Sequence, residues 1–171
     1  MGLLEKKAPS RRPGGRGSSA CAAQATFWLF AAVMGLSLSS IFLVFTGQSI
    51  TQVFFVTAAS FGALSLWGYT TKRDLSGWGS FLFMGVVGIV IAALVNLFLQ
   101  SSGLQFAISV IGVLVFAGLT AYDTQRIKDG YLMIRHDATM VAKSAIMGAL
   151  NLYLDFINMF LMLLQLFGNR N

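Results

Sequence analysis

Two of the six acidic residues in this 171-residue chain stand where acids are costly. Glu5, Asp74, Asp129 and Asp137 lie in polar connecting stretches, whereas Asp123 and Asp155 fall inside hydrophobic runs. An acid at the middle of a membrane-spanning helix costs about 2.5 to 3.5 kcal/mol or more, so it turns toward other helices or water and marks an ion or proton path. Two carboxyls that meet in low-dielectric surroundings hold one proton between them and titrate as a pair. With that proton, one short hydrogen bond latches them; without it, they repel each other and draw a cation. Calcium prefers oxygen ligands, and Asp123 and Asp155, with Asn151 or Asn158, would serve a calcium ion in transit. No resident cofactor is expected. Two structural alternatives compete: an interfacial ion pair of Asp123 with Arg126, three residues on, and a protonated Asp155 that hydrogen-bonds across helices.

Asp155 lies in the last hydrophobic run, ALNLYLDFINMFLMLLQLFG, Ala149 to Gly168. Its twenty residues suffice to cross a bilayer core of about 30 Å at roughly 1.5 Å per residue. At ~100° per residue, Asn151, Asp155, Asn158, Met162 and Gln165 fall within an arc of about 80°. The helix thus carries a polar seam down one side, which cannot face lipid, and the other helices are expected to wrap it.

The surrounding chain is built to supply those helices. It is 56% hydrophobic and 11% charged, against about 25% charged in soluble domains, the composition of an all-α, polytopic membrane protein. Five spans are read: Phe27–Phe45, Ile50–Thr70, Phe81–Leu99, Leu104–Tyr122 and the polar-seamed Ala149–Gly168. Residues 1–26, with five basic residues among Pro, Gly and Ser, read as a disordered or non-native tail. A loop of about twenty residues, TQRIKDGYLMIRHDATMVAK, joins the last two spans, with Asp129-Gly130 as its turn signal. If the fourth span continues helically to Arg126, Asp123 is submerged by about 5 Å and Asp155 by roughly 10 Å, at depths where they could meet.

Eleven of the twelve basic residues would lie on one side of the membrane, and only Arg170 on the other. By the positive-inside rule the N-terminus is cytoplasmic and the C-terminus outside. The same segregation argues against a nucleic-acid groove. A single Cys21 excludes an internal disulfide, and with the lone His136 it offers no zinc set. Small residues (Ala59 and Ala63, Gly85 with Gly88 and Ala92, Ser109 and Gly112) are expected at helix contacts, and Asn96 as an interhelical hydrogen-bond partner. An intramembrane aspartyl protease would also use two acids. Tyr122-Asp123 fits its first motif, but Leu-Tyr-Leu precedes Asp155 where Gly-x-Gly would stand, and no Pro-Ala-Leu follows. No enzyme is read here.

FAISVIGVLVFAGLTAYDTQRIKDGY (Phe106 to Tyr131) and AIMGALNLYLDFINMFLMLLQLFGNRN (Ala145 to Asn171) resemble the two signature ends of the Bax inhibitor-1, YccA-like family, most closely its bacterial members. FWLFAAVMGLSLSSIFLVFTGQSI and GYTTKRDLSGWGSFLFMG resemble its middle spans, so the likeness runs from about Ala23 to the end. The resemblance implies a seven-helix fold with the last helix at its centre and a pH-dependent calcium leak. It further implies a bacterial inner-membrane location and, in one bacterial member, control of a membrane-bound protease. By motif position, the family's pH-sensing aspartate pair falls on Asp123 in AYDTQRIK and Asp155 in LYLDFIN. The first two spans, and the arginine that relatives place on the second, have no counterpart here, and residues 1 to about 22 read as a truncated or misassigned beginning. A five-span chain leaves the seam partly uncovered unless it forms a homo-oligomer or binds another membrane protein. The competing class is a non-conducting regulatory protein that binds a membrane protease or another membrane partner.

Overall fold

The computed structural model describes residues 16–170, and their regular structure is helical: α1 (Arg16–Ser39), α2 (Ile41–Val44), α3 (Gly47–Thr70), a 3-10 turn (Ser76–Trp78), α4 (Gly79–Leu99), α5 (Ser102–Ile134) and α6 (Ala138–Phe167). The chain divides into two compact units, one ending at Leu43 and the other beginning at Val44. In the first unit, helix starts at Arg16, well inside the segment read as a tail, where Ala20, Ala22, Ala23 and Ala25 favour it. The remainder of that tail reading, residues 1–15, lies outside the described residues. The first apolar run is not one unbroken helix. Ser39 and Ser40 turn their hydroxyls back onto the carbonyls of Leu36 and Ser37, at 2.7 Å each, and the helix breaks there.

Among the described residues, four helices (α3, the Trp78–Leu99 segment containing α4, α5 and α6) are long and apolar enough to cross a membrane. Of the stretch read as a fifth span, Phe27–Phe45, the described part Trp28–Val44 is a shorter apolar helix. The chain is thus an integral membrane, all-α helix bundle.

The expected twenty-residue loop between the last two spans is mostly helix. α5 runs on to Ile134 and α6 starts at Ala138, leaving only Arg135 to Asp137 between them. The Asp129-Gly130 step sits inside α5, where a glycine costs only about 1 kcal/mol. The boundary is set instead by Asp137, whose carboxylate accepts from the Thr139 and Met140 amides at 2.9 and 3.1 Å. At 33 residues, α5 is roughly 50 Å long and projects beyond the apolar core.

Within the second unit, α5 packs against α3, α4 and α6, whereas α6 packs against α3 and α5. The shared neighbour is therefore α5, where sequence reasoning put the last helix at the centre. Glycine sets the closest crossing: a Cβ on Gly68 of α3 would lie 2.3 Å from the Ala121 carbonyl oxygen of α5. Of the small residues named above, Gly85 contacts Val115, Gly112 contacts Met162, and Ser109 is buried. Ala59, Ala63 and Gly88 are exposed and make no such contact faces here. Edge-on rings of Phe54, Phe61, Phe156 and Phe160, with centroids 5.4 to 6.1 Å apart, join α3 to α6 beside Asp155.

Candidate functional site: a cleft with two buried carboxyls

The continuation of α5 past Tyr122 keeps Asp123 on the helix surface that α6 covers. Because α6 starts at Ala138, Asp155 is more than four turns in and faces it. Asp123 is 9% and Asp155 6% exposed, and both line one cleft of about 720 Å³. The two carboxyls thus share one cleft between packed helices. Asp155 Oδ2 is buried and has no hydrogen-bond partner; the other such atom among the described side chains is Ser65 Oγ on α3. A buried carboxylate oxygen without a protein donor is costly unless a proton, water or cation satisfies it.

The cleft's remaining walls are uneven. α4 supplies Phe83, Val86, Ile89 and Val90, and α5 adds Phe116 and Leu119, all apolar. Asn151 and Asn158 of α6 line it with the two acids, and Tyr122, Asp123, Arg126 and Asp155 are its ionisable side chains. Arg126 is exposed and, among the described residues, forms no direct ion pair with Asp123, so its charge acts there only at a distance. The ion-pair alternative for Asp123 is therefore not realised. Asn158 Nδ2 donates to the Leu154 carbonyl of its own helix at 2.8 Å, leaving its oxygen free to face the cleft. Asn151 and Gln165, the ends of the seam, are exposed.

Among the described residues, no cluster of three or more His, Cys, Asp or Glu side chains exists. Two carboxylates and an amide or two fall short of the six to eight oxygens of a tight calcium site.

Gln125, near the site but not lining the cleft, is a buried polar residue that sequence reasoning missed. Only 7% exposed, it accepts from the Leu75 amide at 2.8 Å and donates to the Arg73 carbonyl at 2.7 Å. It thereby ties the α3–α4 connection to α5, two residues past Asp123. Its signal was weak, since TQRIK reads as a polar loop unless α5 is known to continue.

An integral membrane bundle with a buried pair of carboxyls in a helix-lined cleft is the class these features define. Residues 7–171 match the family described as inhibitor of apoptosis-promoting Bax1, and the chain belongs to this Bax inhibitor-1 family. The match reaches further toward the N-terminus than the likeness read from about Ala23. Over 145 residues the chain is 59% identical to inner membrane protein YbhL of Escherichia coli (strain K12), covering 84% of this chain and 62% of that protein. A Caulobacter vibrioides protein is 52% identical over 146 residues, 85% of this chain and 58% of the relative. Protein RP147 of Rickettsia prowazekii is 53% identical over 148 residues, 86% and 62% of the two chains. The chain thus spans about six tenths of the length of these relatives.

Proposed function

We propose that this chain forms part of a pH-responsive cation leak, with calcium as the transported ion and Asp123 and Asp155 as sensor and gate. The observation that carries this reading is the meeting of two buried carboxyls in one cleft, one of them with an oxygen lacking any protein donor. A shared proton latches the pair by a hydrogen bond. Its loss replaces that bond with repulsion and presents two negative charges to a cation, so conduction rises as the proton leaves. Asn151 and Asn158 supply neutral oxygens along the same face. The basic residues Lys72, Arg73, Arg126, Lys128, Arg135 and Lys143 sit on the cytoplasmic side and Arg170 outside, with the N-terminus in, as in a bacterial inner membrane. The test is calcium flux into proteoliposomes across a pH series: Asp155→Asn abolishes the pH response, and an unchanged pH profile would remove the mechanism.

A second reading is favoured by the exposure of Asn151 and Gln165 on the seam of a membrane helix. Such a face calls for a cover, either a second copy or another membrane protein such as a protease, and a chain so covered could regulate without conducting. Proteoliposomes without flux at any pH, with a defined partner co-purifying from detergent extracts, would favour it.

A further inference from the structure

The helix pair that carries the two carboxyls also lines a second cleft, of about 610 Å³, toward the opposite end of the bundle. Arg170 lines it at its edge, and its uncharged polar groups form a network. Ser109 Oγ donates to Gln165 Oε1 at 3.0 Å, Gln105 Nε2 donates to the same oxygen, and Asn96 Nδ2 donates to Gln105 Oε1 at 3.0 Å. Along α6, Asp155 and Asn158 face the first cleft and Gln165 the second, so about 15 Å of helix separates the two polar ends. Along α5 the same order runs in reverse, from Ser109 through Gly112 and Phe116 to Asp123.

Met162 stands between Asn158 and Gln165, about one helical turn from each. It lines the cleft of the carboxyl pair, and its side chain lies on Gly112, where a Cβ would come within 3.0 Å of Cγ, 3.1 Å of Sδ and 3.3 Å of Cε. Gly112 is in turn one helical turn from Ser109 of the second cleft. We infer that Met162, seated on Gly112, is the barrier dividing a single seam into two clefts, and so the constriction of the cation path proposed above. An apolar side chain between two polar chambers excludes ions because the narrow space between them holds no stable water. Methionine suits a barrier that must open. It is unbranched with three rotatable side-chain bonds, so it can leave the glycine without a shift of either helix. Its role as an ion gate rests on the leak reading, but its role as a barrier does not.

The test reads accessibility, not flux. With Cys21, the chain's one cysteine, replaced by Ser, a cysteine is placed at Asn158 or Gln165. A small, membrane-impermeant methanethiosulfonate ammonium reagent is then applied to each membrane face in turn. With Met162 present, the cysteine at 165 reacts from one face and that at 158 only from the other. Met162→Ala is expected to open 158 to the face that reaches 165, raising its labelling rate from that side at least tenfold, whereas Met162→Leu keeps it closed. Should Met162→Ala fail to give a monodisperse protein, Met162→Thr, which is also much shorter than methionine and carries a hydroxyl, carries the same expectation. Labelling of 158 from the 165 side with Met162 in place, or no change in either smaller variant, would overturn the barrier. Opening of the barrier in a protein that passes no calcium at any pH would leave it standing and remove the leak.

Discussion

The two ends of the α5–α6 seam solve one problem with different chemistry. At one end two acids meet; at the other, Asn96, Gln105, Ser109 and Gln165 exchange neutral hydrogen bonds. The amides are satisfied by one another and gain nothing from a proton or an ion. The acids are not: Asp155 Oδ2 is buried without a donor, and two carboxylates side by side are stable only with a proton or cation between them. The difference teaches that polarity within a membrane bundle is not one signal. Neutral amides satisfy one another across helices, whereas buried acids leave an oxygen without a protein donor.

The sharpest way to break that contrast is to neutralise one residue at each end. Asp155→Asn is expected to remove the pH dependence of calcium flux altogether, and adding Asp123→Asn should cost nothing further, because the pair acts as a unit. Gln165→Leu, by contrast, should change the amount of flux while leaving its pH midpoint in place, read in the same proteoliposomes. A purely structural effect comes next. Gly68→Val puts side-chain atoms where the Ala121 backbone already lies, and overpacking of this kind costs about 1 to 3 kcal/mol or more, measured as lost thermal stability in detergent. The amide end should be worth less. A double-mutant cycle of Gln105→Leu with Gln165→Leu is expected to give a coupling of about 0.6 kcal/mol and no more than roughly 1.7 kcal/mol, as for interhelical hydrogen bonds in membranes generally.

The smallest effect belongs to Asp74, outside the spans. The Ser76 hydroxyl and amide donate to its carboxylate and hold its pKa below the ordinary 3.8. A depressed carboxyl contributes stability that is present above its unfolded value and lost as pH falls through the folded one. Asp74→Ala should therefore change melting slightly near neutral pH and not at all in strong acid, with a thermal scan at each pH as the check.

Much of the site was legible in the chain, for physical reasons. Asp155 stands out because an acid inside a twenty-residue apolar run has few inexpensive explanations, and its helical spacing with Asn151, Asn158 and Gln165 marks a single face. Asp123 was harder, since its burial depends on α5 continuing past Tyr122. The chain hides that continuation behind Asp129-Gly130, a turn signal by local propensity that the packed helix overrides. Gln125 was lost for the same reason. Asn96 was read as a helix–helix partner, and it donates to Gln105 as such. Gln105 carried no distinguishing sign and Ser109 only that of a small contact residue, because neutral residues in membrane helices are common and reveal their partners only once register is fixed. Nor could periodicity identify α5 as the helix touching the most neighbours: its apolar residues run around its whole circumference, whereas the seam of α6 drew attention to itself.

The most direct measurement is an infrared pH titration of the carboxyl stretch in the reconstituted protein, with Asp123→Asn and Asp155→Asn alongside the unchanged chain. If the two acids hold one proton in common, the unchanged chain shows a buried carboxyl band that titrates once, and either substitution alone removes or displaces it. Two bands that titrate separately, each untouched when the other acid is replaced, would contradict a shared proton and with it the gate.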